Sequence, residues 1–270
     1  MSGRAARLLV VGGLTGLASG LLGVGGGFVM VPGLVYLLRT PQREANGTSL
    51  AVIVPVAIVG AVILGGGHQI DLPIGIALAL GAVGGAVVGA RLTRRVSDAG
   101  LRRAFGILAV TVGVVLIGDA LIHAIGGTVP LASGLKLAGV SLWITAVALG
   151  IVAGVLSGLL GIGGGAIMVP AMTLLMGLSQ HVAQGTSLLV IIPTAISGSI
   201  THFRMGNIRL PTAAWLSLGG VVGAVAGALL ALASPDQVLR LLFGGYLAFT
   251  GVRMLQAPTT NVTQPTMASR

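Results

Sequence analysis

Residues 16–32 read GLASGLLGVGGGFVMVP, and residues 154–170 read GVLSGLLGIGGGAIMVP. Twelve of these 17 positions are identical, and the two stretches lie 138 residues apart. Each places a glycine run, Gly23–Gly27 or Gly161–Gly165, in the middle of a long apolar segment. A continuous helix does not hold such a run well, because each interior glycine costs about 1 kcal/mol relative to alanine. The sequence therefore predicts two broken helices at equivalent places.

The same offset carries the match outward. Gly47-Thr48-Ser49-Leu50 falls on Gly185-Thr186-Ser187-Leu188, Pro55 on Pro193, Pro73 on Pro211, Asp98 on Asp236 and Phe105 on Phe243, with no insertion. The chain reads as a tandem duplication, with a first transmembrane repeat over residues 1–130 and a second over 131–258. A polar tail rich in Thr and Pro begins at Gln256, and residues 259–270 are expected to be disordered.

Composition sets the solvent. Of 270 residues, 55% are hydrophobic and only 7% charged, against about 25% charged in a soluble domain. Mean hydropathy is +1.06. Fifteen basic and five acidic residues cannot give a chain of this size a polar skin, which excludes a soluble enzyme, a nucleic-acid module and a disordered chain. The net charge of +10 is read as orientation signal in short loops. No basic run is interleaved with aromatics, so no nucleic-acid partner is expected. With aromatics at 3%, a barrel with aromatic girdles is excluded. With no Cys, disulfides and thiol chemistry are too. Arg4 and Arg7 followed by an apolar run resemble a secretory signal, but the run continues to Leu38 and its motif recurs deep in the chain.

Apolar segments span 7–38, 47–66, 72–92, 102–123, 138–178, 182–202, 210–233 and 238–256. The first would be about 48 Å long as one helix, too long for one crossing and too short for two. Segments one and five are each expected to be two half-helices meeting near the midplane, entering and leaving on the same side. The arginines test this. If both segments crossed once, basic residues would divide 8 to 7 between the two sides. If both return, only Lys136 and Arg240 lie outside and the split is 13 to 2, as the positive-inside rule demands. Each repeat then crosses an odd number of times. The fold class is an all-α polytopic membrane protein of two inverted repeats, each with one broken, re-entrant helix pair plus three transmembrane helices. Both termini are expected on the cytoplasmic side of the inner membrane.

The breaks carry the chemistry. Glycines there serve close helix packing on one reading. On the other, the helices that follow present unbonded N–H groups and the positive end of the dipole to an anion. Gly25, Gly26, Gly27 and Phe28 would form one such end, and Gly163, Gly164, Gly165 and Ala166 the second, where inverted-repeat carriers bind solute. Asn46, Thr48 and Ser49, with Gln184, Thr186 and Ser187, open the next helix of each half, as N-caps or as cavity-lining donors to anion oxygens. Ser19 and Ser157 are read as satisfying backbone freed at the breaks. Pro32, Pro170, Pro55 and Pro193 kink helices or hinge them. His202 and Arg204 are assigned to a solvated interface or an anion-attracting vestibule, His68 to a loop. Asp119 lies about 25 Å along its helix from Arg102, near the outer interface. Acidic residues within spans are rare, which argues against a cation site. No Walker loop, HExxH or nucleophile elbow appears, so no catalytic or metal residue is assigned and no cofactor is expected.

Two copies of G-x-x-S-G-L-L-G-(V/I)-G-G-G-x-x-M-V-P, each followed by G-T-S-L, resemble the TauE/SafE sulfite exporter family, also called the 4-toluene sulfonate uptake permeases. The resemblance covers residues 7–255. It implies an inner-membrane permease for sulfite, organosulfonates or other sulfur-containing anions. A thiosulfate-importing branch relies on cysteines, and this chain has none. The expected partners are a small anionic solute and the lipid bilayer, with a second copy of the chain left open. A non-transporting membrane scaffold and a passive anion channel are the alternatives.

Overall fold

A computed structural model describes residues 3–124 and 139–256, and its regular structure is all helical. Helix α1 (Gly3–Leu22) precedes the first break. A short helix follows, made of α2 (Gly27–Pro32) and a π-helical continuation Gly33–Leu37 after the proline. Helices α3 (Gln42–Gly66), α4 (Leu72–Leu92) and α5 (Asp98–Ala124) complete the first half. In the second half α6 (Val140–Leu160) leads to the second break and then to α7 (Gly165–Leu175), α8 (Gln180–Arg204), α9 (Leu210–Ala233) and α10 (Asp236–Gln256). Lys136 and residues 257–270, the polar tail with Arg270 among them, lie outside the described residues.

Both glycine runs break their helices where expected, but the limbs are unequal. α1 and α6 run 20 and 21 residues, while α7 has 11. At about 1.5 Å per residue, the first limb is about 30 Å long, and the second limb is about half that. The breaks fall late because the apolar run before each glycine cluster is itself long enough to stay helical. Seven helices among the described residues are long and apolar enough to cross a membrane: α1, α3, α4, α6, α8, α9 and α10. The apolar part of α5 is shorter, Gly106–Ile122.

The halves interleave. α1 packs most extensively against α9, and α6 against α4. These pairs run in the same direction: Gly12, Gly16 and Gly20 meet Leu216, Gly220 and Ala224, while Val147, Ile151 and Val155 meet Gly81, Gly85 and Gly89. α3 and α8 run in opposite directions, with Gly60 on Leu188 and Gly198 on Leu50. α5 and α10 are opposed too, with Gly113 on Gly244 and Gly106 on Gly251. The offset of 138 exchanges α1 with α6 and α4 with α9. It maps α3 onto α8 and α5 onto α10, so the contacts respect the duplication.

Small residues make these approaches. A Cβ on Gly16 would collide with the Gly220 carbonyl, so the α1–α9 backbones touch over glycine as membrane helices without a hydrophobic driving force do. The outside is apolar: Val62, Leu80, Val140 and Val222 are about 70% exposed, while polar side chains such as Ser49, Gln184 and Thr194 are buried among the core aliphatics. That pattern fits lipid and not water.

The packing yields a test. Gly16→Leu is expected to lower stability in detergent by about 1–3 kcal/mol through overpacking. Gly84→Leu, on the same kind of helix but with open space around it, is expected to show no loss. Thermal unfolding followed by size-exclusion chromatography compares them.

Candidate functional site

The two breaks share one backbone. At Gly23, Gly25 and Gly26 the φ angles are 70°, 76° and 74°; at Gly161, Gly163 and Gly164 they are 72°, 82° and 85°. Left-handed backbone costs a residue with a Cβ about 1–2 kcal/mol, so the glycine pattern is dictated by conformation at three of the five positions in each run. Gly23 N–H donates to the Ser19 carbonyl and Gly161 N–H to the Ser157 carbonyl, both at 2.8 Å. The two serines thus act through their main chain. Their hydroxyls have no hydrogen-bond partner among the described residues, which corrects the expectation that these hydroxyls satisfy the freed backbone.

The breaks meet at the centre of the bundle. A Cβ on Gly25 would lie 3.2 Å from Ile53 and 3.3 Å from Ile191; one on Gly163 would lie 3.4 Å from Ile191 and 3.5 Å from Ile53. These isoleucines stand halfway along α3 and α8. The short helices begin on the opposite break. Gly27 lies against Gly161 and Ile162; at Gly165 a Cβ would fall 2.6 Å from Val24 Cα and 2.7 Å from the Gly23 carbonyl oxygen. Each short helix therefore sets its N-terminus near the carbonyl end of the other half's long helix, where the dipole ends attract. Phe28 and Ala166 are buried beside these ends.

The polar motif residues divide by side-chain direction. α3 begins at Gln42 and α8 at Gln180, with Ser179 capping the latter. Asn46 and Gln184 are thus one turn inside their helices and not N-caps, because the polar residues Gln42 and Gln180 extend each helix outward. Asn46 instead caps the end of α6, its Nδ2 donating to the Leu159 carbonyl at 3.0 Å while its Oδ1 accepts from Gln42 Nε2 at 3.0 Å. Ser49 donates to the Gly161 carbonyl at 2.9 Å. Thr48 and Thr186 point elsewhere. Their hydroxyl oxygens accept from the backbone N–H of Arg209 and of Asp71, at 3.1 and 2.8 Å, and so tie down the turns entering α9 and α4.

On the other copy, Gln184 packs against Gly23, and the Ser187 hydroxyl lies 2.9 Å from where a Gly165 Cβ would stand. Gln184, Ser187 and Gln180 are fully buried, and their side-chain polar atoms have no hydrogen-bond partner among the described residues. The structure therefore gathers Gly25–Phe28, Gly163–Ala166, Asn46, Ser49, Gln184 and Ser187, and leaves Thr48 and Thr186 aside. Sequence reasoning passed over Gln42 and Gln180. Their i, i+4, i+7 spacing with Asn46 and Ser49, or with Gln184 and Ser187, is the signal that would have found them.

Other assignments shift. His202 is fully buried, its Nε2 3.0 Å from the Gly158 carbonyl, because its face of α8 lies against the end of α6, while Arg204 beside it is exposed. Asp119 pairs with Arg240 at 2.6 Å, joining α5 to α10. A His181–Asp236 hydrogen bond and a Glu44–Arg209 ion pair join helix starts at opposite ends of the bundle. Every described arginine except Arg240 lies at the Glu44 end. A cavity of about 590 Å³ between the starts of α1 and α9, lined by Ala5, Leu8, Arg209, Thr212 and Trp215, does not reach the breaks.

The family model described as sulfite exporter TauE/SafE matches residues 2–116 and 146–269. The chain is 28% identical over 268 residues to the Probable membrane transporter protein YunE of Bacillus subtilis (strain 168), covering 91% of this chain and 97% of that one. It is 29% identical over 233 residues to the Probable membrane transporter protein YdhB of the same organism, covering 86% and 93%. It is 24% identical over 266 residues to the Probable membrane transporter protein MJ0441 of Methanocaldococcus jannaschii, covering 92% and 94%.

The break geometry predicts that Gly164→Ala costs about 1–2 kcal/mol of stability through its left-handed φ. Gly118→Ala, with open space and no such φ, is expected to cost nothing. Melting temperatures of the two variants in one detergent decide it.

Proposed function

This chain belongs to the sulfite exporter TauE/SafE family of membrane transporters, and we propose that it is a secondary carrier of a small sulfur-containing anion, such as sulfite or a sulfonate, across the inner membrane. The observation that carries the reading is the pair of glycine breaks with matching left-handed backbone, in contact at the middle of the bundle. Broken spans at that depth let main chain meet a solute without placing a formal charge in lipid. The solute site consists of Gly25–Phe28 and Gly163–Ala166 with Asn46, Ser49, Gln184 and Ser187 around them. In α7 the first N–H groups lack an intrahelical acceptor. At α7 the bonding begins with Ile167 and Met168, both donating to the Gly164 carbonyl. Partial positive charge at such ends selects an anion.

Residues 1–130 and 131–258 serve as inverted repeats. The opposed directions of α3 and α8, and of α5 and α10, support this, since each pair is related by the offset. The arginine-rich end faces the cytoplasm, and with it the start of α1 and the end of α10. Rocking of one repeat against the other alternates access. A non-transporting scaffold would not need paired left-handed glycines, and a channel would not need breaks in mutual contact.

The purified chain in proteoliposomes is expected to give saturable flux of labelled sulfite with counterflow. Linear flux without counterflow would replace the carrier by a channel, and no flux of any sulfur or carboxylate anion would remove transport. In this cysteine-free chain, His68→Cys is expected to react with an impermeant thiol reagent from outside the cell and Ser97→Cys only after permeabilisation. The reverse pattern would invert the orientation.

A further inference from the structure

The two copies of one motif are in different states, and that difference has a direction. In the first half, Gln42, Asn46 and Ser49 form a closed relay along one face of α3. Gln42 donates to Asn46, Asn46 to the Leu159 carbonyl, and Ser49 to the Gly161 carbonyl. In the second half, Gln180, Gln184 and Ser187 occupy the equivalent face of α8, fully buried, with none of their five side-chain polar atoms bonded among the described residues. The carbonyls that symmetry would offer them belong to Leu21 and Gly23. The sequence differs at the same point: the repeat that closes carries Asn46 and the repeat that stays open carries Gln184, one methylene longer. Ser19 and Ser157 are unpartnered on both sides and do not discriminate.

Leaving a buried amide or hydroxyl without a partner costs about 1–3 kcal/mol, so two such amides and a hydroxyl in a row are a poor structural device and a good binding one. They run from the first turn of α8 inward, about 10 Å over seven residues. They end with Ser187 against Gly165, the first residue of an 11-residue helix. We infer that the solute is bound on one side only in this conformation. The Gln180–Gln184–Ser187 face is its route and half-site, the Ser187 hydroxyl and Gln184 amide donate to the anion oxygens beside the start of α7, and the relayed Gln42–Asn46–Ser49 face is the closed gate. This rests on the anion-carrier reading for what is bound. The unequal bonding stands apart from it.

Two measurements on the full-length chain in detergent test the inference and separate its failure from that of the carrier reading. Without solute, Asn46→Leu is expected to lower the melting temperature, since it orphans the Leu159 carbonyl, while Gln184→Met and Ser187→Ala leave it unchanged or raise it. With sulfite and with methanesulfonate as probes, wild type is expected to be stabilised, and Gln184→Met and Ser187→Ala to bind at least ten-fold more weakly. Destabilisation of Gln184→Met as large as that of Asn46→Leu, or undiminished affinity in both second-half variants, overturns the one-sided site. Absence of any stabilisation of wild type by either probe overturns the anion reading, and the solute-free comparison still judges the unequal bonding.

Discussion

A main chain inside lipid must satisfy its own hydrogen bonds, because no solvent is there to do so. Every helix that stops short in the bilayer leaves N–H and carbonyl groups to be answered by something else. Two helices stop here, after Leu22 and after Leu160, and at the second the other helices answer the freed carbonyls. Asn46, Ser49 and His202 reach across from other helices to the carbonyls of Leu159, Gly161 and Gly158. The short helices set their N-termini against the opposite break. Neither break could exist alone, which is why the halves interleave and why the duplication is expressed as contact between repeats more than within them.

The exterior is apolar, and the interior holds both buried aliphatics and buried polar groups. Once α1 lies on α9 and α4 on α6 through glycine, little room remains for large side chains between them. The buried hydroxyls have local acceptors in many places: Thr194 donates to Val190, Thr93 to Ala90, and Thr173 to Pro170. Each bonds a carbonyl three or four residues back. Where no such local carbonyl is used, at Gln180, Gln184 and Ser187, the buried polar group has no hydrogen-bond partner among the described residues.

Much of this was legible in the chain. The offset of 138, the position of both breaks, the helical class and the placement of arginines follow from residue type and period. What the sequence hid is tertiary. Asn46 at the head of an apolar run has the pattern of an N-cap, and nothing local distinguishes it from a residue whose partner, Leu159, is 113 residues away. His202 near two charged positions reads as wet until α6 is placed over it. Thr48 and Thr186 looked like cavity hydroxyls because the repeat conserves them between halves, but what is repeated is their hold on a turn. Limb length was misjudged because apolar runs on either side of the glycines were treated as equal, whereas helix continues until backbone must turn left-handed, and that begins only at Gly23 and Gly161.

The residues that break the local rules are where the two halves part company. A duplicated protein with perfect symmetry would exchange the bonding of its two motif copies between two end states of equal energy. Replacing Asn46 by the longer Gln184 in the other half changes how far a side-chain amide reaches toward the break carbonyls, and a single methylene moves the amide by more than the tolerance of a hydrogen bond, about 0.5 Å. The closed relay on α3 stabilises one arrangement of the breaks by several bonds of about 1 kcal/mol each, while the face of α8 contributes none until something binds there. Unequal ends bias which arrangement is populated at rest, and a ligand shifts that population only by what it adds on the unbonded side.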